Sequence, residues 1–123
     1  MILLVDDDEE VRATIRRSLA ELGYPVREAE SGEAALAILA EERPMLVILD
    51  YVMPGMDGAE TAKAIAEIDP DLPVVFSTGH SALRALRTAA GEGAAVLEKP
   101  FTLNELDQLV KERIEGVRRA RTA

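Results

Sequence analysis

The chain has 123 residues, 48% of them apolar, no cysteine and a formal net charge of −9. That is one domain's length with enough apolar surface for a packed core, which excludes a disordered segment, a disulfide frame and a thiolate metal site. The acidity disfavours nucleic acid as a direct partner. No apolar run approaches the ~20 residues of a membrane span, and the N-terminus turns acidic by Asp6 where a signal peptide would be apolar; a cytoplasmic location is expected.

Ile2 to Val5 reads as a short buried strand ending at Asp6-Asp7-Asp8. Val11, Ile15, Leu19 and Leu22 then recur at helical spacing, with Arg12, Arg16 and Arg17 off that stripe. Acids at the start of this helix suit its dipole, and Gly23 stands where it stops. Pro25 to Ala29 reads as a second strand, and Ser31 as the cap of a helix reaching Ala40. Met45 to Leu49 is the most apolar strand, ended by a single acid, Asp50. After the turn at Pro54-Gly55, Asp57 is placed to cap a helix running to Ile68.

Pro73 to Ser77 reads as the fourth strand, leading into Thr78-Gly79-His80, and Ala82 to Ala90 as a short helix with a thin apolar face, Leu83 and Leu86. Ala94 to Leu97 is the fifth strand, followed by Glu98-Lys99-Pro100-Phe101. Thr102 and Glu105 have capping-box spacing, and Leu103, Leu106, Val110, Ile114 and Val117 form the stripe of the last helix. Residues 1–117 read as one domain and 118–123 as a tail or the start of a linker. Strand and helix alternate five times, which implies an α/β fold with a parallel sheet covered on both faces.

In such a sheet the strands' C-terminal ends share one rim, where ligands bind. That rim receives Asp6 and Asp7, Asp50, Thr78 and Lys99. Three carboxylates together repel unless a cation joins them. Mg²⁺ suits them because it takes hard oxygen ligands and shares phosphate oxygens. Lys99 and Thr78 are suited to grip a phosphoryl group, and a carboxylate is a competent phosphoryl acceptor. Each residue alone has a plainer reading: acids at a helix start, an acid in a turn, a structural threonine, a solvated surface lysine. Their convergence on one rim favours Mg²⁺-assisted phosphorylation of Asp50.

Four separated marks carry a resemblance: Leu4-Val5-Asp6-Asp7; Asp50 followed by Met53-Pro54-Gly55-Met56-Asp57-Gly58; Ser77-Thr78-Gly79; and Glu98-Lys99-Pro100-Phe101. The sequence resembles the response-regulator receiver domains of the CheY-like family over essentially its whole length. The resemblance implies a three-layer, flavodoxin-like, doubly wound fold with strand order 2-1-3-4-5. It implies that Asp50 accepts a phosphoryl group from a histidine kinase or a histidine phosphotransfer protein. It also implies that Asp6, Asp7, Asp50 and the Val52 carbonyl hold Mg²⁺, that Thr78, Lys99 and Gly79 surround the phosphoryl group, and that the Lys99-Pro100 bond is cis. Such a domain is not an enzyme beyond its own phosphorylation and dephosphorylation.

The family's switch aromatic, three residues before the lysine, is here Val96, so switching falls to Thr78 and the segment after the fourth strand. Val52 and His80 occupy positions that tune the site; His80 is placed to position a water or to cover the phosphoryl group. The segments around His80 and Lys99 look like those of receivers attached to hybrid histidine kinases.

Three other readings compete. A phosphatase of the haloacid dehalogenase type needs a second acid two residues after the nucleophile, where this chain has Val52. A flavin-binding domain needs a phosphate loop where this chain has three acids. A pseudo-receiver that binds partners without phosphorylation would not need the complete set Asp6, Asp7, Asp50, Thr78 and Lys99.

Overall fold

Four- and five-residue apolar runs become strands because both their faces are covered. The computed structural model of the chain describes the backbone of residues 1–122 and the side chains of residues 1–116. Its elements are β1 (Ile2–Val5), α1 (Glu9–Glu21), β2 (Val26–Ala29), α2 (Gly32–Leu39), β3 (Leu46–Asp50), α3 (Gly58–Ile68), β4 (Val74–Gly79), α4 (His80–Ala90), β5 (Val96–Lys99) and α5 (Leu103–Thr122). The five strands are all parallel, in the order β2-β1-β3-β4-β5, the order the resemblance implies.

Alternate strand residues separate into two cores. Leu3, Val5, Val47, Leu49 and Phe76 face α2, α3 and α4, where they meet Ala35, Ile65 and Leu86. Ile2, Leu4, Leu46, Ile48, Val75 and Leu97 face α1 and α5, where they meet Ile15, Leu19, Leu106 and Val110. Each such Leu or Ile, fully buried, contributes about 1.5–3 kcal/mol, most of it offset by chain entropy.

Side chains cap helix starts at Ser31, Asp57 and Thr102, as the sequence places them, and also at Asp8. The Asp8 side chain accepts from the Glu10 and Val11 amides, and Ser31 from Ala34. Asp57 and Glu60 form a complete capping box on α3, and Thr102 Oγ1 accepts from the Glu105 amide.

Several boundaries differ from the sequence reading: β3 spans Leu46–Asp50 where Met45–Leu49 was expected, so that Asp50 is its last residue. β4 runs on through Thr78 and Gly79, and β5 spans Val96–Lys99 where Ala94–Leu97 was expected. The cause is mutual pairing: Thr78 and Gly79 are the register partners of Glu98 and Lys99, so polar residues continue the ladder. As a result α4 starts at His80, directly after the strand, and not at Ala82. At the other end α5 continues through Thr122. The expected boundary after residue 117 lies where side chains are outside the described residues. Leu103, expected on the inner stripe of α5, is 37% exposed.

Candidate phosphoryl-acceptor site

The strand ends bring the acids together. Asp6 follows β1, and its amide donates to the Ala29 carbonyl. Its carbonyl accepts from Arg12 Nη1 at 2.7 Å, while Arg12 Nε donates to Glu28 at 3.1 Å. Burial alone would raise the Glu28 carboxyl, but Arg16 and Arg12 outweigh it and hold it below its usual value. A lattice of α1 and β2 side chains therefore fixes the backbone that presents Asp6. The sequence reading missed Arg12, which shows there only as a charge off the apolar stripe.

Asp6 and Asp50 are buried, 1% and 7% exposed, whereas Asp7 is exposed. One carboxylate oxygen from each of Asp6, Asp7 and Asp50 lies within 4.8 Å of the others. Burial raises the Asp50 carboxyl, Asp6 adds to the rise, Lys99 pulls it back, and Asp7 adds a smaller push; the outcome is about 6 against an ordinary 3.8. A carboxylate held this way gains from any cation that enters. The donor set is all oxygen, which suits Mg²⁺, so the residues present fit the metal that the sequence implies.

Lys99 is the cation already in place. Its Nζ lies 3.4 Å from Asp6 Oδ2 and 3.4 Å from Asp50 Oδ1. The Lys99-Pro100 peptide bond is cis, as expected. Thr78 is 1% exposed, and Thr78 Oγ1 and Ser77 Oγ are the buried side-chain oxygens without a hydrogen-bond partner among the described residues. A Cβ added at Gly79 would meet nothing within 4 Å. The approach is open there, and packing does not require glycine.

The loop after Asp50 is held by backbone. The Tyr51 amide donates to the Ser77 carbonyl, and the Gly58 amide to the Tyr51 carbonyl at 2.8 Å. A Cβ on Gly58 would stand 2.6 Å from both Asp50 O and Tyr51 Cα. Only glycine lets the start of α3 approach the acceptor's own chain so closely; the sequence reading had Gly58 in one of the four marks but gave no packing reason for it. Gly55 makes the turn with φ +74°. The Val52 side chain points to solvent, 62% exposed.

The positions read as switch and tuning residues lie around this site. Val96 pairs with Phe76 and packs on the α2–α3–α4 core. Tyr51, next to the acceptor, reaches α4 through its hydroxyl, which donates to the Ala85 carbonyl at 3.5 Å. His80 is solvent-exposed, and its Nδ1 lies 2.9 Å from Glu98 Oε1. The sequence offered no sign of that pair.

Comparison with known proteins agrees with this geometry. The family pattern described as "Response regulator receiver domain" matches residues 2–111. The chain is 43% identical over 107 residues to the response regulator receiver protein CpdR of Brucella abortus, covering 85% of this chain and 88% of that protein. It is 41% identical over 106 residues to the response regulator MprA of Mycolicibacterium vanbaalenii, of whose length it spans 46%. Among solved structures, the receiver domain of NtrX from Brucella abortus superposes with a TM-score of 0.87 at 32% identity, over 94% of this chain and 98% of that one. CpdR and MprA are response regulators by name and the NtrX structure is that of a receiver domain, and the expected likeness to hybrid-kinase receivers finds no support in them. The chain belongs to the response regulator receiver domain family, and with it to two-component signalling.

Proposed function

We propose that Asp50 accepts a phosphoryl group from the phosphohistidine of a histidine kinase or histidine phosphotransfer protein. The observation that carries this is the buried Asp50 carboxylate, flanked by Asp6 and Asp7 and loosely shared with Lys99. A carboxylate oxygen of Asp50 forms the bond to phosphorus, the phosphorus–nitrogen bond of the donor breaks, and the leaving imidazole keeps the electron pair and takes a proton. Lys99 moves its ammonium onto the developing phosphoryl charge, and the Thr78 hydroxyl donates to a phosphoryl oxygen. Asp6, Asp7, Asp50 and the Val52 carbonyl would hold Mg²⁺, which neutralises phosphate charge when bound. An apolar cleft of about 360 Å³ opens beside Lys99, between Val11 and Ile15 of α1 and Phe101, next to where the donor histidine must arrive.

The chain's own chemistry is then confined to its phosphorylation and dephosphorylation. Val52 leaves no general acid two residues beyond Asp50, which disfavours a phosphatase. Among the described residues no helix is long and apolar enough to cross a membrane; a cytoplasmic site of action is part of the proposal.

The test is labelling by acetyl phosphate with Mg²⁺. The parent takes up one phosphoryl group and Asp50→Asn, still folded, takes up none; equal labelling of the two sinks the reading. A parent that takes no label favours the pseudo-receiver alternative. Asp7→Ala should weaken the rise in melting temperature that Mg²⁺ produces by mass action, and unchanged Mg²⁺ affinity would remove Asp7 from the ligand set.

A further inference from the structure

Beside the acceptor stands a hydroxyl that the chemistry above does not use. Ser77 is the register partner of Asp50 in the β3–β4 ladder, and residues paired across a ladder project to the same face. Ile48 and Val75, two residues before each, pack into the α1–α5 core, so Asp50 and Ser77 share that face. Phe76, the residue before Ser77, packs into the opposite core. Ser77 is 1% exposed, and its Oγ has no hydrogen-bond partner among the described residues. Leu97, its register partner on β5, is apolar. The polar groups next to Ser77 on this face are therefore Asp50 and, one pleat further along β5, Lys99.

A buried hydroxyl without a partner costs stability that an apolar residue of the same shape would not. Its place, with the Ser77 carbonyl bonded to the Tyr51 amide, fixes it against the acceptor's own chain. We propose that Ser77 is a positioning residue for phosphoryl transfer, its hydroxyl donating a hydrogen bond to the Asp50 carboxyl group as Lys99 leaves it for the phosphoryl oxygens. The hydroxyl orients the attacking carboxylate and afterwards holds the carbonyl oxygen of the aspartyl phosphate. No bond is made to Ser77 and no proton leaves it. The inference rests on Asp50 being the phosphoryl acceptor.

Threonine and valine have one shape and differ by a hydroxyl, so Ser77→Thr and Ser77→Val form the test, with Ser77→Ala as the variant that adds no volume. Labelling by acetyl phosphate is followed across donor concentrations, and Mg²⁺ affinity is measured separately. Ser77→Val and Ser77→Ala should lower the maximal rate about tenfold, the worth of one hydrogen bond made in the transition state. KM for the donor and Kd for Mg²⁺ should stay unchanged, and Ser77→Thr should keep the parental rate. A purely structural serine would lower the melting temperature of the variants without this split. Equal rates for the Thr and Val variants, a change in KM alone, or a Ser77→Ala rate equal to the parent's overturns the proposal while leaving the acceptor reading intact. A parent that takes no label overturns both.

Discussion

The Lys99 ammonium stands 3.4 Å from Asp50 Oδ1 and equally far from Asp6 Oδ2. A tight ammonium–carboxylate hydrogen bond is about 2.7–2.9 Å long, so Lys99 neutralises both acids without being locked to either. It is held by charge and is free to turn to a third oxygen. Lys99→Met leaves two buried carboxylates without their cation and should cost about 1–2 kcal/mol in metal-free buffer. Added Mg²⁺ should recover much of that, because the metal supplies the missing charge. A melting-temperature loss of the same size with and without Mg²⁺ would mean that Lys99 acts through packing.

The raised Asp50 carboxyl makes stability depend on pH in a direction opposite to most paired acids. The folded chain binds this proton more tightly than the unfolded one, about 6 against 3.8. The stabilising contribution is therefore complete below about pH 4 and is lost as pH rises through about 6. Without divalent cations, Asp50→Asn should be more stable than the parent at pH 7.5, by about 2–3 kcal/mol at most. Most of that gap should close by about pH 4.5. Paired denaturation curves at the two pH values check this, and a gap that widens on acidification would contradict it.

The fold was legible because β1, β3 and the first half of β4 are short apolar runs and the helices between the strands show their own period. What escaped were strand ends. Thr78, Gly79, Glu98 and Lys99 look like loop residues, yet they pair with one another, and a partner strand decides pairing where local polarity does not. Asp50, Asp6 and Lys99 stood out because a charge at the end of an apolar run has no packing reason to be there. Ser77, Arg12 and Tyr51 did not, because their significance depends on register and on contacts between distant elements: Ser77 beside Asp50, Arg12 on the Asp6 carbonyl, Tyr51 against Ala85.

Gly58 is a strict requirement of the site. Its missing Cβ is replaced by the backbone of Asp50 and Tyr51 at 2.6 Å, and backbone cannot move aside as a flexible side chain can. Gly58→Ala should cost about 2–3 kcal/mol through overpacking, with the shift falling on the Asp50–Met53 turn. Mg²⁺ affinity should fall in the same variant, since the Val52 carbonyl lies in that turn. Gly79→Ala is the control: a Cβ there meets nothing, so its stability should stay within about 0.5 kcal/mol of the parent's. Equal losses in the two variants would refute the close-approach argument.

Switching without an aromatic at Val96 should run through α4. Leu86 is its one buried residue among those described, and Gly79 gives its N-terminus no side-chain cap. Its C-terminal end is tied down, because Arg87 Nη1 donates to the carbonyls of Glu92 and Ala94 at 3.0 and 2.9 Å. The N-terminal half hangs on weaker holds, the Tyr51 hydroxyl at 3.5 Å from Ala85 O and the exposed His80–Glu98 pair. That half follows Thr78 without a connecting loop, so a Thr78 hydroxyl drawn towards a phosphoryl group pulls directly on the start of the helix. Local opening concentrates where contacts are fewest. Hydrogen exchange with and without beryllofluoride, a phosphoryl mimic, should therefore change most over residues 79–93 and the adjoining Lys99 turn, more strongly at 80–85 than around Arg87. Changes confined to α1 or to the opposite rim of the sheet would exclude this route.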